Sequence, residues 1–342
     1  MRLFVYEFIC AAGIDVPASL AREGRAMLDA VLQDLGRCRG VRTTTLLPVG
    51  TSPPSDGWPN NTVLRADPGA ELERFVAEAR RADYTLVIAP EFDDLLGERC
   101  RRVEECGGRL LGPGSAGVRL SGDKLRLAEH LRRHGVPTPP AVPWRWPGVG
   151  GSHPVAFPLV CKPRYGAGSQ ATFLLRNLDD LAAAARAAAG EGWRGEMIAQ
   201  PYHDGAAASV SFLVGGGRTL ALPAAAQRLS DDGRFRYLGG EVPLPSAMNR
   251  RAQQLARRAV ESVAGLFGYV GVDVGLAPSP EDDVVIEINP RLTTSYVGLR
   301  RLARFNLAEA LLAVATEAAL PEMGWNPGPV RFWADGRVEP CI

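Results

Sequence analysis

Lysine is almost absent from this 342-residue chain. Of its 39 basic residues only Lys124 and Lys162 are lysines, and the others are arginines. Arginine presents a broad planar fork, whereas lysine carries a compact charge on a flexible stem. A chain that uses arginine so generally is expected to keep lysine where a compact charge is needed, so both lysines are candidate binding residues. The alternative explanation is that these two lysines lie at surface positions and were retained by chance.

The sequence also lacks an excess of charge of either sign. Its 38 acidic residues balance the 39 basic ones. No global field therefore attracts phosphate backbones or anionic lipid, and we expect no nucleic-acid partner. No apolar run approaches the roughly 18 residues of a membrane-spanning helix. The N-terminal apolar stretch is interrupted by Glu7 and is too short for a signal sequence, so we expect no membrane partner.

The six cysteines lack the spacing of a metal or disulfide site. The sequence contains no CxxC pair and no accompanying histidine spacing, which argues against a zinc site and a disulfide framework. A reducing compartment suits such a chain, so we expect a cytoplasmic protein.

Apolar runs and helical patterns alternate over the first hundred residues. The patterns predict strands at 3–6, 43–49, 61–66 (an edge strand), 84–89 and 109–111, and helices at 19–35, 71–82 and 95–106. That order predicts an α/β unit with an open, mostly parallel sheet and helices on both of its faces.

The rest of the chain divides into two further units. The first has a helix at 121–134, a proline-rich connector at 135–151 with a glycine linker at 148–151, strands at 155–162, 172–175 and 197–200, and a helix at 178–189. The second is dominated by strands, with helices at 247–267 and 307–319. We therefore expect an α/β domain followed by two α+β domains, with bounds 1–112, 113–199 and 200–342.

The segment 284–291, Val-Val-Ile-Glu-Ile-Asn-Pro-Arg, places an acid among apolar residues. In a strand Glu287 and Asn289 point to the same side, because side chains alternate between faces. Asp273 lies in another apolar run, on the strand expected to pair with this one. Mg²⁺ prefers oxygen ligands and is typically held by one or two protein groups together with substrate phosphates. The three residues are a candidate metal site, and the alternative is a strand whose polar residues face solvent.

Lys162 ends a predicted strand and precedes a glycine-rich turn, Tyr165-Gly166-Ala167-Gly168-Ser169. Glycines let backbone N–H groups approach a phosphate closely, and a lysine adds a point charge. The turn has neither the Walker order nor a GxGxxG pattern. A phosphate-binding loop and an ordinary hairpin both remain open for this segment.

Five segments, taken in order, resemble the ATP-grasp ligases over roughly residues 110 to 300. They are Ser121-Gly122-Asp123-Lys124, Lys162 with its glycine turn, Ala199 to Gly205, Gly271-Val272-Asp273, and Glu287 to Arg291. The resemblance implies an N-terminal Rossmann-like (pre-ATP-grasp) domain, a small central lid domain and a C-terminal ATP-grasp domain. It also implies that ATP is bound between the latter two.

The resemblance further implies a role for each matching residue. ATP phosphates would be bound by Lys124 and Lys162 and covered by Gly166, Gly168 and Ser169, while adenine would meet backbone groups of Gln200, Pro201 and Tyr202. Mg²⁺ or Mn²⁺ would be bound by Asp273, Glu287 and Asn289. Arg291 would lie near the reacting carboxylate or phosphoryl group, and it and Lys162 would be catalytic. The chain departs from the family at 206–208, where alanines replace a ribose-binding acid, and at Gly271, where some peptide-forming members have a basic residue.

The N-terminal part is similar to the branch of this family that includes tyramine–glutamate ligase of methanofuran biosynthesis. The similar segments are Tyr6-Glu7-Phe8, the predicted helix with Glu23-Gly24, and Ala89-Pro90-Glu91. In an open α/β sheet ligands bind beyond the carboxyl ends of strands, where Glu7 and Glu91 are expected. Two carboxylates there would suit an ammonium-bearing substrate. Solvated acids or salt-bridge partners are the alternative.

The expected function is ATP-dependent carboxylate–amine ligation through an acylphosphate, with glutamate and tyramine as the indicated pair. An ATP-grasp kinase, a carboxylase similar to biotin carboxylase and a non-catalytic nucleotide-binding subunit are the alternatives. The expected partners are a small carboxylate and a small amine, and a homodimer remains open.

Overall fold

A parallel sheet, here named the N-terminal sheet, opens the chain in a computed structural model that describes residues 1–14, 16–55, 57–146 and 155–340. Its strands are β1 (Arg2–Glu7), β2 (Arg42–Pro48), β3 (Asn61–Ala66) and β4 (Tyr84–Ile88), in the order β3-β2-β1-β4. Its helices are α1 (Phe8–Ala12), α2 (Ala18–Leu35), α3 (Glu71–Arg81) and α4 (Leu95–Glu105). The strand predicted at 109–111 is wrong, because Leu110 forms only an isolated bridge with Thr85.

Two helices, α5 (Ser115–Gly122) and α6 (Lys124–Arg133), follow the N-terminal sheet. The single helix predicted at 121–134 is wrong, because the chain leaves the helical conformation at Asp123. The Asp123 carboxylate caps α6 by accepting hydrogen bonds from the backbone N–H groups of Leu125 at 3.2 Å and Arg126 at 3.1 Å. Lys124 is therefore the first residue of α6.

A small antiparallel sheet, here named the central sheet, comes next. Its strands are β5 (Val142–Trp144), β6 (Leu159–Pro163), β7 (Phe173–Leu175) and β8 (Met197–Pro201), in the order β5-β8-β6-β7. Helix α7 (Asp179–Gly190) lies between β7 and β8 in the chain. Strand β5 was not predicted, since it forms inside the proline-rich connector. Residues 147–154, which include the predicted linker at 148–151, lie outside the described residues.

The last part of the chain forms the C-terminal sheet. Its strands are β9 (Ala206–Gly215), β10 (Arg218–Ala221), β11 (Ala225–Leu229), β12 (Tyr237–Val242), β13 (Gly268–Leu276), β14 (Val284–Asn289), β15 (Val330–Trp333) and β16 (Val338–Pro340). The order is β14-β13-β9-β11-β12-β15-β16, and β10 pairs with β9. Its helices are α8 (Ser246–Ser262), α9 (Ser295–Leu302) and α10 (Leu307–Ala315). Sequence patterns did not predict β11, β12, β15, β16 or α9.

Helix α2 joins the N-terminal sheet to the C-terminal sheet. Its apolar face shares a buried cluster with α9 and α10. At the end of α2, buried Asp34 accepts hydrogen bonds from Arg300 Nε at 2.8 Å and from the Tyr296 hydroxyl at 2.8 Å. These contacts fix α2 against the start of α9. Among the described helices, none is long and apolar enough to cross a membrane.

Candidate functional site

A cavity of about 450 Å³ lies between the central sheet and the C-terminal sheet. Every residue that the sequence assigned to nucleotide or metal binding lines it, and so does Arg291, which was assigned to catalysis and substrate binding. The nucleotide and metal candidates are Lys124, Lys162, Gly166, Gly168, Ser169, Gln200, Pro201, Tyr202, Asp273, Glu287 and Asn289. These residues lie on α6, on strands of both sheets and on the intervening turns. The fold therefore brings together segments that are far apart in the chain.

Asp273 and Glu287 are directly opposite each other on the antiparallel strands β13 and β14. Asn289 Nδ2 donates a hydrogen bond to Asp273 Oδ2 at 3.1 Å. Burial and the neighbouring Glu287 charge raise the pKa of Asp273. Burial acts on Glu287 in the same direction, but the charges of Lys124 and Lys162 outweigh it and hold the pKa of Glu287 below its usual range. The site thus holds carboxylates in close contact.

These donors fit a hard divalent cation that also contacts phosphate. Within the ranges that the structure describes, no three His, Cys, Asp or Glu side chains cluster as a metal site. Two carboxylates with an amide suit Mg²⁺, which commonly takes its remaining ligands from water and substrate phosphates. A cation would also relieve the repulsion between the two carboxylates. The Asn289 amide would have to turn to offer its oxygen, because its N–H group now faces Asp273.

Gln227 also contacts Asp273, although no sequence pattern indicated this residue. Its Nε2 donates a hydrogen bond to Asp273 Oδ1 at 2.9 Å, and the residue lines the cavity. Gln227 lies on β11, a strand that the sequence pattern did not predict, so no signal connected it with the metal-site residues.

Both lysines lie close to Glu287. Lys124 Nζ is 3.3 Å from Glu287 Oε2 and donates a hydrogen bond to the Gly166 carbonyl at 3.0 Å. Lys162 is 8% exposed and forms no ion pair or hydrogen bond with the described part of the protein through its side chain. Burial lowers the pKa of Lys162 to about 8, against the opposing effect of Glu287. A buried ammonium without a partner is a ready binding group for an anion such as phosphate.

The glycine-rich turn closes one side of the cavity. Gly168 has a φ of +69° and Ser169 a φ of 60°, both in the left-handed region that glycine adopts most readily. The Ser169 hydroxyl donates a hydrogen bond to the Phe235 carbonyl at 2.6 Å. Any phosphate contact of Ser169 in this arrangement would therefore come from its backbone N–H group.

The segment expected to meet adenine lies at the end of β8. Gln200 is buried and its side-chain amide donates to the Pro139 carbonyl at 3.1 Å. The Tyr202 N–H group donates to the Pro158 carbonyl at 3.0 Å, and Pro201 has no N–H group. Neither Pro201 nor Tyr202 therefore has a free backbone N–H group for adenine. Any adenine contact from this segment would come from its other backbone groups.

Arg291 is paired with Glu91 of the N-terminal part. Its Nε lies 2.8 Å from Glu91 Oε1 and its Nη2 lies 3.2 Å from Glu91 Oε2. Glu91 follows β4 by three residues, as the sequence predicted, but its buried carboxylate is occupied by Arg291. Glu91 is therefore a salt-bridge partner in this structure, which was the alternative to binding an ammonium group.

Glu7 ends β1, where the sequence placed it, but lies outside the lining of the cavity. It is 2% exposed, and its Oε2 accepts a hydrogen bond from the backbone N–H of Cys10 at 2.6 Å. Burial raises the pKa of Glu7. The carboxylate therefore caps α1 inside the protein.

A different acid from the same region, Glu23 on α2, does line the cavity. Burial raises the pKa of Glu23 to about 7, although the Arg291 charge and a hydrogen bond from Thr294 act against that shift. Glu23 follows Leu20 by three residues and precedes Met27 by four, so it lies on the apolar face of α2. An acid on the apolar face of a helix is a sequence signal for a binding residue, and Glu23 could have been identified from it.

A second cavity of about 400 Å³ lies beside the first. Its lining includes Glu91 from the N-terminal part, Arg119 of α5, Arg126 of α6, and Tyr165 and Trp193 from the central part. Since Glu91 lines the second cavity and Arg291 lines the first, their ion pair stands between the two.

Family comparisons agree with this geometry. Residues 121–295, about half of the chain, match the ATP-grasp domain family, and residues 41–118 match the pre-ATP-grasp 3 domain family. The chain is 26% identical to tyramine–L-glutamate ligase of Methanocaldococcus jannaschii over 93% of this chain and 90% of that protein. It is 28% identical to D-alanine–D-alanine ligase of Nitratidesulfovibrio vulgaris over 75% of this chain and 87% of that protein.

A solved structure shows the same fold over nearly the whole chain. An ATP-grasp superfamily protein from Archaeoglobus fulgidus superposes with a TM-score of 0.70 at 26% identity, covering 97% of this chain and 92% of that one. The expected ATP-grasp fold with a pre-ATP-grasp N-terminal part is confirmed. The chain belongs to the ATP-grasp family, whose members bind ATP, and it is a ligase of that family.

Proposed function

We propose that the protein joins a carboxylate to an amine at the expense of ATP, with glutamate and tyramine as the first pair to test. The observation that carries the proposal is the cavity that Lys162 lines together with Asp273, Glu287 and Arg291. Lys162 is buried, forms no ion pair with the other described residues, and lies within reach of the Asp273 and Glu287 charges. Such a set of charges suits a nucleotide triphosphate with its metal ion and a reacting carboxylate.

The residues would act mainly by positioning and by charge. Lys124 and Lys162 hold phosphate oxygens, the turn at 166–169 covers them, and the segment 200–202 meets adenine. Asp273, Glu287 and Asn289 hold Mg²⁺, which when bound neutralises phosphate charge. Arg291 stabilises negative charge where the substrate carboxylate meets the γ-phosphate.

The reaction balances in two steps. A carboxylate oxygen attacks the γ-phosphorus and releases ADP, which leaves an acylphosphate. The amine nitrogen then attacks the acyl carbon, phosphate departs with the electron pair of the broken C–O bond, and the nitrogen loses a proton to give the amide. The central sheet, as a lid over the cavity, would keep water from the acylphosphate.

The test is a matrix of carboxylates against amines, scored by ADP release and by product mass. The proposal predicts that ADP release requires both an acid and an amine, and that the product mass is that of the amide. If an acid alone supports full ADP release and yields a stable phosphorylated product, the protein is a kinase. If bicarbonate alone supports ADP release, the carboxylase alternative is favoured.

A further inference from the structure

The N-terminal part contributes a single side chain to the ATP cavity. Of the described residues that line it, Glu23 alone precedes residue 124. The remaining lining residues lie on α6, the central sheet, the C-terminal sheet, the start of α9 and the segments that connect these elements. The N-terminal part therefore reaches the proposed reaction site through one carboxylate, that of Glu23.

Three contacts fix the position of Glu23, two of them made by other residues of α2. A Cβ atom on the next residue, Gly24, would lie 2.6 Å from Glu7 Oε1, so the absence of a side chain lets α2 approach the end of β1 closely. Thr294, the residue before α9, donates a hydrogen bond to the Glu23 carboxylate. The contact of Asp34 with Arg300 fixes the other end of α2 against α9. Glu23 is therefore built into the cavity wall.

Glu23 forms no close ion pair with any other described residue. Arg291 and Arg22 are the neighbouring cations. Arg291 Nε and Nη2 are both engaged by Glu91 at 2.8 and 3.2 Å, and Arg22 is exposed to solvent. Burial raises the pKa of Glu23 to about 7, although the charges of Arg291 and Arg22 act against that shift. A cationic ligand would supply the missing charge.

We propose that Glu23 binds the ammonium group of the amine substrate. The inference rests on the proposed ligase function and deepens it, because it assigns the amine subsite to α2. Glu23 lies next to Arg291, which would hold the reacting carboxylate, so an ammonium group bound there is adjacent to the acyl carbon. Its nitrogen attacks after the ammonium has lost one proton to water, and it loses a second proton as the amide forms. Glu7 and Glu91, the sequence-based candidates for this role, have their carboxylates occupied by Cys10 and Arg291.

The test compares Glu23→Gln with the wild-type chain in two reactions. With glutamate, ATP and tyramine, Glu23→Gln should raise the KM for tyramine about tenfold or more, because a hydrogen bond to a charged group is lost. With hydroxylamine in place of tyramine, hydroxamate formation should stay within about twofold, because hydroxylamine is largely uncharged near neutral pH. The KM for ATP should also be unchanged.

Two further variants test whether the effect is specific to the Glu23 carboxylate. Glu73→Gln changes an exposed acid on α3 and should leave all constants unchanged. Glu23→Asp keeps the charge but shortens the side chain, and its KM for tyramine should lie between those of wild type and Glu23→Gln. An unaltered KM for tyramine in Glu23→Gln, with an increase in Glu7→Gln or Glu91→Gln, would overturn the assignment.

Failure of the ligase function would be visible separately, as wild-type protein that forms neither amide nor hydroxamate. Calorimetric titration of tyramine into the protein with ATP and Mg²⁺ then decides the role of Glu23. Binding to wild type that is weakened tenfold in Glu23→Gln supports an ammonium site, and equal binding or no binding to either protein overturns it.

Discussion

Replacing Lys162 by arginine keeps a positive charge in the ATP cavity and changes only its shape. The lysine is 8% exposed and lies on β6 within reach of the Glu287 charge and of Lys124. The guanidinium is broader than an ammonium and planar, so it cannot take the same position against a phosphate oxygen without displacing the neighbouring turn. Lys162→Arg should therefore bind ATP less well, and Lys162→Met, which also removes the charge, should be weaker still.

The size of the effect follows from the contact that is lost. A hydrogen bond to a charged group contributes about 1.5–3 kcal/mol, which corresponds to a change of about 10- to 150-fold in affinity or in kcat/KM. We expect Lys162→Met near the upper end of this range and Lys162→Arg near the lower end. Both substitutions weaken the binding of ATP, so the KM values for the acid and the amine should change far less than the KM for ATP.

The assay is calorimetric titration with ATP and Mg²⁺, followed by ADP release as a function of ATP concentration. Arg250→Lys, an exposed change on α8, is the matched control and should stay within about twofold of wild type. Circular dichroism checks that each variant is folded. Wild-type affinity and turnover in both Lys162→Arg and Lys124→Arg would refute the reasoning from lysine scarcity.

Two other substitutions test the metal site and the contact between the domains. Glu287→Gln keeps the side-chain shape but removes a charge from the proposed metal site, so ADP release should fall about 100-fold or more across a Mg²⁺ titration, with the melting temperature little changed. Full activity at saturating Mg²⁺ would contradict the assignment. Glu91→Gln removes the partner of a largely buried arginine, and the free energy of unfolding measured in urea should fall by about 3 kcal/mol. A fall of less than about 0.5 kcal/mol would mean that the pair does not hold the domains together.

The pairing of Asp273 with Glu287 could be predicted because strands impose a simple rule. Side chains alternate along β13 and β14, so two acids in apolar runs on paired strands face each other once the register is right, and Asp273 does pair with Glu287. The lysines were identified by their scarcity, which needed no knowledge of the fold. The glycine turn and the segment after β8 were placed by their order in the chain.

Contacts between distant segments could not be predicted in the same way. Arg291 and Glu91 are 200 residues apart, and only the docking of the N-terminal sheet on the C-terminal sheet brings them together. Strands β11 and β12 have weak apolar patterns, so Gln227 and its hydrogen bond to Asp273 were missed. The break at Asp123 was missed because a capping residue inside a continuous helical pattern looks like one more exposed position.

The acylphosphate is the central claim, and an oxygen-isotope measurement tests it most directly. Glutamate with ¹⁸O in its side-chain and α-carboxylates is incubated with ATP, Mg²⁺, tyramine and the wild-type protein, and the released phosphate is analysed by mass spectrometry. Because the attacking carboxylate oxygen stays on the phosphorus, each amide formed should release one phosphate carrying one ¹⁸O atom. Amide formation with unlabelled phosphate, or with AMP in place of ADP, would contradict activation by the γ-phosphate in this cavity.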